Sequence, residues 1–435
     1  MLQTLKNAWK VDELRKGILF TIMILIVYRI GAAIPIPYVD SAALSEFMTT
    51  SSNGSIFQYF NLLSGDAFSK ATLFALSISP YINASIIMQL LTIAIPALER
   101  LAQQGDEGRK KIAQITRYAT IVLALLTAFG YYTFLRNQVW PGADGSVRYG
   151  FLFDNSIFAA IVIIVTYCAG ASIIMWLGEQ INEHGIGNGI SMILFANIVA
   201  SLPAQIMGAY GETSKTVGVI LVTAVVAVMV ATMWFVVYIT NAERRIPIQY
   251  AKRQVGRKMY GGQNSFLPLK VNMTGVMPII FASAIVSIPQ TIAMFVPAFA
   301  ETAIFRNWLS QRGPLYMIIF FLLIIAFAYF YVAISFNPVE IANNLKKNSG
   351  TIPGIRPGKP TSDYITRILN KVTLIGAFAL GIIAVLPFVI AAINPSFQSL
   401  TFGGSSIIIV VGVVLEVWRE MEAKISMRHY KGFLD

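Results

Sequence analysis

The sequence predicts an all-α integral membrane protein, with ten transmembrane helices in two inverted five-helix halves around a central pore. Three observations lead there: the composition, the spacing of apolar stretches and a phrase that occurs twice. Of the 435 residues, 56% are hydrophobic and only 12% are charged, and the mean hydropathy is +0.66. A soluble fold of this length has too little core for so much apolar surface, so lipid must solvate the excess. An apolar stretch of ~17–25 residues crosses a bilayer as a helix. Ten regions qualify: 17–36, 71–97, 116–136, 153–176, 185–207, 216–240, 272–295, 314–336, 368–391 and 402–419. The phrase Pro80-Tyr81-Ile82-Asn83-Ala84-Ser85 returns as Pro278-Ile279-Ile280-Phe281-Ala282-Ser283, each time in the second apolar stretch of its half. Membrane pores and transporters are often built from such repeats.

The first stretch follows Lys6, Lys10, Arg15 and Lys16, the charge pattern of a signal peptide. It runs too long for one, and Ile34-Pro35-Ile36-Pro37 stands where a small-residue cleavage site would be, so it reads as a retained helix. Segment 55–70 comes next, apolar and helix-compatible but too short to cross, with Gly65-Asp66 breaking it before helix two. By topology it starts on the outer side. A re-entrant piece is allowed there where protein or a water-filled cavity surrounds it, and a movable stopper in a pore mouth fits, with Phe57, Phe60, Leu62 and Leu63 among its residues. An interfacial helix on the outer leaflet is the alternative.

The halves correspond at two further places. Helix five opens Gly189-Ile190-Ser191 and helix ten opens Gly404-Ser405-Ser406, each with an aliphatic residue, Leu194 or Ile409, five positions after the glycine. The ends of helices one and six read Ile34-Pro35-Ile36-Pro37-Tyr38 and Ile246-Pro247-Ile248-Gln249-Tyr250. Because five is odd, two such halves, 1–207 and 208–435, are inverted relative to each other.

Orientation follows from the basic residues. The N-terminus, loops 98–117, 241–271 and 337–371, and the tail from 416 hold 26 of the 33 Lys and Arg. Loop 177–184 holds none but falls on the same side by alternation. Both termini are therefore expected in the cytoplasm, and the net charge of +12 needs no nucleic-acid partner to explain it. The dense run Arg244, Arg245, Lys252, Arg253, Arg257 and Lys258 suits acidic protein surfaces or ribosomal RNA phosphates.

Depth indicates what the repeat builds. Counted from the expected helix starts, Ile78, Ile82, Ile190, Leu194, Ile280 and Ile409 lie roughly 8–17 Å into a core of ~30 Å. Aliphatic side chains meeting near the midplane from four helices make a narrow collar that resists water and ions by dewetting. Ordinary packing or lipid-facing residues are the competing reading, since Ile is abundant in such helices.

A set of motifs now carries a resemblance. Gly31 through Pro37, Ser79-Pro80-Tyr81-Ile82-Asn83-Ala84-Ser85-Ile86-Ile87, Trp176-Leu177-Gly178-Glu179-Gln180-Ile181 with Gly185-Ile186-Gly187-Asn188-Gly189-Ile190-Ser191, Tyr250-Ala251-Lys252-Arg253-Gln254, Leu267-Pro268-Leu269-Lys270-Val271-Asn272 and Pro353-Gly354-Ile355-Arg356-Pro357-Gly358 together resemble the SecY family. Its members form the channel of the bacterial protein translocase. The resemblance runs in order along essentially the whole chain. It implies a bacterial plasma (inner) membrane location and a channel that passes unfolded secretory proteins and releases transmembrane segments sideways into lipid. The family's pore ring would fall on Ile78, Ile82, Ile190, Leu194, Ile280 and Ile409, with Leu194 a conservative departure. Segment 55–70 would be the plug. Helices two and three against seven and eight would be the lateral gate for signal peptides, with Asn83 and Ile288 near the seam. Loops 241–271 and 337–367 would dock the SecA motor or the ribosome, with Arg257, Lys258 and Arg356 as contacts, and SecE and SecG would be the small partners.

Two other classes fit less well. An ion-coupled secondary transporter also uses inverted repeats, but it carries ionisable groups near the midplane, and here the helix centres are nearly free of them. Arg29 is the clearest exception, placed toward the outer end of helix one where snorkelling or pairing between helices accounts for it. For a membrane enzyme, neither His184 nor His429 has a metal-like spacing to a partner, and Cys168 is alone in an apolar run. Gly354 through Lys359 only superficially follows the phosphate-loop pattern: three residues instead of four separate its glycines, and Pro360 replaces the magnesium-binding Ser/Thr. No cofactor is expected, and energy would come from a partner or the membrane potential.

Overall fold

The computed structural model describes residues 9–431 apart from 51–59, 62, 142–146, 212–214, 251–252, 256–257, 261–263, 296–298, 300–301, 303–304, 310–312 and 394–402. The described chain is mostly helical. In order come α1 (Asp12–Gly31), α2 (Ser41–Thr50), α3 (Ser79–Ala94), α4 (Pro96–Gln103), α5 (Asp106–Asn137), α6 (Ile157–His184), α7 (Gly189–Gly211) and α8 (Lys215–Asn241). The second part holds α9 (Met277–Val286), α10 (Ile288–Phe295), α11 (Pro314–Ser335), α12 (Pro338–Lys347), α13 (Lys359–Ile393) and α14 (Gly403–Lys431).

Local chemistry sets several of these boundaries. Ser156 caps α6 by accepting the Ala159 N–H at 3.2 Å, and Asn337 caps α12 by accepting those of Val339 and Glu340, each satisfying donors the first turn leaves orphaned. The duplicated phrase falls at the same place twice. Pro80 and Pro278 each occupy the second residue of a helix, where proline's missing N–H costs nothing. Both helices are short: α3 turns by 99° into α4, and α9 gives way at Ser287 to α10.

Among the described residues, four helices are long and apolar enough to cross a membrane, five if α3 and α4 make one broken span. Large apolar side chains cover their outer faces, including Val122, Leu125 and Phe129 on α5, Ile161 and Val165 on α6, and Ile375 and Phe378 on α13. Soluble proteins do not expose so continuous an apolar belt, and this is a multi-pass membrane protein. Inside, the largest core threads α1, α3, α6, α7, α8, α9, α11, α13 and α14. A second, aromatic core joins α2, α5 and α6 through Phe47, Tyr131, Trp140, Phe151 and Tyr167.

Four expectations need correction. Helix two begins at Ser79, not 71; residues 65–78 form a chain of turns with positive φ at Gly65, Asp66, Ala71 and Ser77. Residues 177–184 are no loop but the last turns of α6. Ile246 through Tyr250 lie beyond the end of α8, in a strand, and Ile34 through Tyr38 lie beyond α1. The fold is also not purely α: loop 241–271 is a β-arm, in which β3 (Glu243–Tyr250) pairs antiparallel with β6 (Asn264–Lys270) and β7 (Gly350–Thr351). At its tip β4 (Arg253–Val255) pairs with β5 (Lys258–Tyr260), and β1 (Val139–Pro141) pairs with β2 (Val147–Tyr149) after α5. Ile246 and Ile248 are the buried residues of β3, the period-2 burial of a one-sided sheet, and Ile246 packs into a small core with Leu269, Ile352 and Ile365. That core fixes the arm to the foot of α13.

Candidate functional site

The site lies where the first turns of four helices meet. Ile78 stands at the N-cap of α3 and Ile82 one turn in; Ile190 and Leu194 open α7; Ile280 is the fourth residue of α9, and Ile409 lies in the second turn of α14. All six therefore lie nearer the observed helix starts than the expected ones. All six side chains are buried, none more than 8% exposed, and all belong to the largest core. Ile82, Leu194, Ile280 and Ile409 line a single cleft. Ile78 and Ile190 are buried in the same core but do not line it.

The cleft's other wall is polar and uncharged. Ser79, Asn83, Ser283, Ser287, Ser405 and Ser406 complete it, together with Leu63 and Ala284. No ionisable side chain is among these residues. Asn83, Ser79 and Ser287 also border a second cleft shared with Phe60, Phe68, Leu76 and Tyr131, so Asn83 stands on the seam between α3, α5 and the α9–α10 pair. Ile288 is 45% exposed and lines neither cleft.

The glycine-rich motif 185–191 is explained by backbone crowding. Asn188 Oδ1 accepts the N–H groups of Ile190 and Ser191, and Asn182 Oδ1 accepts that of Gly189 at 2.7 Å. Gly187, at φ +83°, donates its N–H to Glu420 of α14 at 2.8 Å. A Cβ on Gly189 would meet the Gly178 carbonyl oxygen at 1.9 Å. This contact draws α6 and α7 together beside Ile78 and Ile190. Glu179, from the preceding motif, ties α6 to α5 through Arg117 at 2.8 Å.

One feature escaped the sequence reading. Tyr331 of α11 donates its hydroxyl to Gln89 Oε1 of α3 at 2.7 Å, and its ring packs 5.2 Å from that of Phe281. Nothing in either residue type announces the pair; only the approach of α3 to α11 creates it. Arg29 does pair between helices, but with carbonyls rather than carboxylates: it donates to Ala196 O at 2.9 Å and to Gly65 O at 3.2 Å. Of the stopper residues, Phe60 and Leu63 are half-buried, while Phe57 and Leu62 lie outside the described residues.

The arm and its neighbour carry the basic residues. Arg356 is exposed in the turn before α13; Gly354 and Gly358 there adopt φ +79° and +100°, and Gly358 O accepts the first N–H groups of the helix. This is a helix start, not a phosphate cradle. Partial burial, and then the neighbouring Arg419 guanidinium, hold the Lys270 ammonium below the ordinary lysine value. Arg257 lies outside the described residues, and Lys258 is described only by its place in the tip hairpin.

Known proteins share both the sequence and the shape. The SecY family model matches residues 72–418. The protein translocase subunit SecY of Streptomyces scabiei is 43% identical over 441 residues, and that of Mycobacterium tuberculosis (strain ATCC 25618 / H37Rv) is 42% identical over 453; each match covers 100% of both chains. Among solved structures, a protein-conducting channel superposes with a TM-score of 0.64 at 17% identity over 94% of this chain and 92% of its own. A SecY channel whose plug domain stabilises the closed state gives 0.62 at 17% identity over the same shares. At that identity the structural likeness speaks for the fold alone, but the end-to-end sequence matches and the family model over four helix starts of the cleft leave one assignment: the chain belongs to the SecY family.

Proposed function

We propose that the cleft is the closed constriction of a protein-conducting channel, and that the chain passes unfolded secretory proteins across the membrane and releases transmembrane segments sideways into lipid. The observation that carries this is the convergence of Ile82, Leu194, Ile280 and Ile409 from four helix starts on one uncharged cleft. A passage for chains of any sequence needs a lining without a specific binding group, and aliphatic side chains yield without holding on. A transporter is not favoured, because coupling ions or substrates need ionisable or coordinating groups at such a site, and the lining has none.

Ile78 and Ile190 complete the ring from behind. The ten apolar segments form two inverted halves, 1–207 and 208–435, which the matching placement of Pro80 and Pro278 supports. Segment 55–70 is the plug. Both termini and the β-arm face the cytoplasm of a bacterium, the membrane being its plasma membrane. SecE and SecG complete the complex, and loops 241–271 and 337–367 receive SecA or the ribosome. A canine Sec61 structure of the same fold, TM-score 0.61, was solved in a ribosome–channel complex, which supports the arm's role. Energy is supplied by a partner or the membrane potential.

The gate opens between α3 with α5 on one side and α9, α10 and α11 on the other, with Asn83 and Ile288 along the seam and the Gln89–Tyr331 hydrogen bond fastening it. Such a bond contributes about 0.5–1.5 kcal/mol net, so Tyr331→Phe is expected to shift the gate toward the open form by about two- to tenfold. Spin labels on α3 and α11 of the reconstituted complex measure this directly; an unchanged distance distribution would remove the bond from the gate.

The functional test is reconstitution of the chain with its small partners in vesicles, with motor, ATP and a secretory preprotein. Protease-protected preprotein inside the vesicles is the expected result, and solute uptake without protein import refutes the channel. In the same assay Arg356→Glu should lower import about tenfold, the effect of losing about 1.4 kcal/mol at a charged docking contact, with melting temperature unchanged. Normal import would place docking elsewhere.

A further inference from the structure

The turns joining the plug to α3 are held by a polar network that the channel reading does not require. Two carbonyls of this strap, those of Leu63 and Gly65, face a buried seam between α1 and α7. Leu63 O accepts Asn197 Nδ2 at 2.7 Å and Ser77 Oγ at 2.7 Å. Gly65 O accepts Arg29 Nη1 at 3.2 Å, while Nη2 of the same guanidinium donates to Ala196 O at 2.9 Å. Asn197 Nδ2 also donates to Tyr28 Oη at 2.8 Å. Asn197 and Tyr28 are both fully buried.

The fit is close at Gly65. A Cβ on Gly65 would meet Arg29 Nη1 at 2.9 Å, and Asn197 Cα and Oδ1 at 3.0 Å. Asp66, Ala71 and Ser77 adopt φ of +71°, +46° and +54°, a region that side chains with a Cβ occupy at a cost. The strap is thus strained at several positions; Leu63 and Gly65 are held at its plug end, while Phe68 O and the Leu73 N–H are held further along by Tyr131 and by Ile34 O. Arg29 makes no ion pair among the described residues; neutral carbonyls alone hold it. Only a guanidinium has the forked donors to bridge Gly65 and Ala196 at once. Asn197 Oδ1 is buried without a hydrogen-bond partner among the described residues, so the closed arrangement leaves an acceptor unsatisfied. Strain, a charge held only by dipoles and an orphaned acceptor all lower the cost of letting go.

We infer that Arg29 and Asn197 form a releasable latch that holds the plug shut through Leu63 and Gly65, and that they set how strong a signal sequence must be to open the channel. They are positioning residues, since neither lines the cleft. This rests on reading segment 55–70 as the plug.

The test uses the full complex in vesicles, comparing wild type, Arg29→Gln, Arg29→Lys and Asn197→Leu, each also on a background with residues 55–60 deleted. Resting ion leak, import of a preprotein with a defective signal, import with an intact signal and melting temperature are measured. Arg29→Gln and Asn197→Leu are expected to raise leak and defective-signal import about tenfold, as loss of a charge-assisted or buried hydrogen bond implies. Import with an intact signal stays unchanged, Arg29→Lys recovers part of the closure, and none of the substitutions adds to the deletion. If the deletion raises leak while Arg29→Gln and Asn197→Leu do not, the latch is wrong and the plug stands. If the deletion changes nothing, the plug reading fails first. A loss of import for both preproteins together with a lower melting temperature assigns the network to folding alone and overturns the latch.

Discussion

Ile409→Asn is expected to raise the resting ion conductance of the reconstituted channel by about one to two orders of magnitude. Ile409 is 4% exposed and lines the cleft with Ile82, Leu194 and Ile280. An amide buried there without a partner costs about 1–3 kcal/mol, and the site relieves that cost by admitting water. Each 1.4 kcal/mol returned to the wet state is worth about tenfold in its population. Ile409→Val, which keeps the aliphatic character, should leave conductance near wild type. Single-channel recordings in planar bilayers separate the two, and unchanged conductance at Ile409, Ile82 and Ile280 alike would remove the collar.

Gly189→Ala is expected to destabilise the chain sharply, while Gly178→Ala, its partner in the same contact, is tolerated. At Gly189 the new Cβ would lie 1.9 Å from the Gly178 carbonyl oxygen, with Gly178 C at 2.7 Å and Cα at 3.0 Å. These are backbone atoms that no rotamer change can move, so α6 and α7 must part. At Gly178 the Cβ would meet the side-chain tips of Ile193 and Ile78 at 3.6 and 3.7 Å and Gly189 C at 3.9 Å, all ordinary contact, and a mid-helix Gly→Ala gains about 0.5–1 kcal/mol of helix propensity. Overpacking of this kind costs typically about 1–3 kcal/mol and occasionally more. Thermal unfolding of the two variants in detergent reads the asymmetry. Equal melting temperatures would mean that α6 and α7 are not in backbone contact there.

How much of this was legible beforehand depended on whether the relevant physics is local. Membrane class follows from composition, which no folding changes. The duplicated phrase could be found because proline at a helix start is a local requirement, and it pointed to Ile82 and Ile280, which do meet across one cleft. The strap was not legible: Ala67, Phe68, Ala71, Leu73, Phe74, Ala75 and Leu76 are as apolar as any transmembrane helix, so hydropathy ran helix two back to 71. What keeps them from being helical is tertiary. Tyr131 of α5 donates to Phe68 O at 2.7 Å, Leu73 N–H is taken by Ile34 O at 2.9 Å, and a Cβ on Gly170 of α6 would strike Leu73 O at 2.1 Å. The β-arm was missed for a related reason. The alternation of Ile246 and Ile248 spans too few residues to signal a strand until β6 supplies its partner.

The sequence by itself determined that this chain lives in lipid, which segments are apolar enough to be buried there, and which residue types stand at the helix starts, because hydrophobicity and proline geometry act over a few residues. Only the tertiary structure decided that four of those starts converge on one uncharged cleft, that Gly178 and Gly189 press two helices together behind it, and that Arg29 and Asn197 reach the carbonyls of Gly65 and Leu63. Those are contacts between segments far apart in the chain, and their energies exist only once the helices have packed.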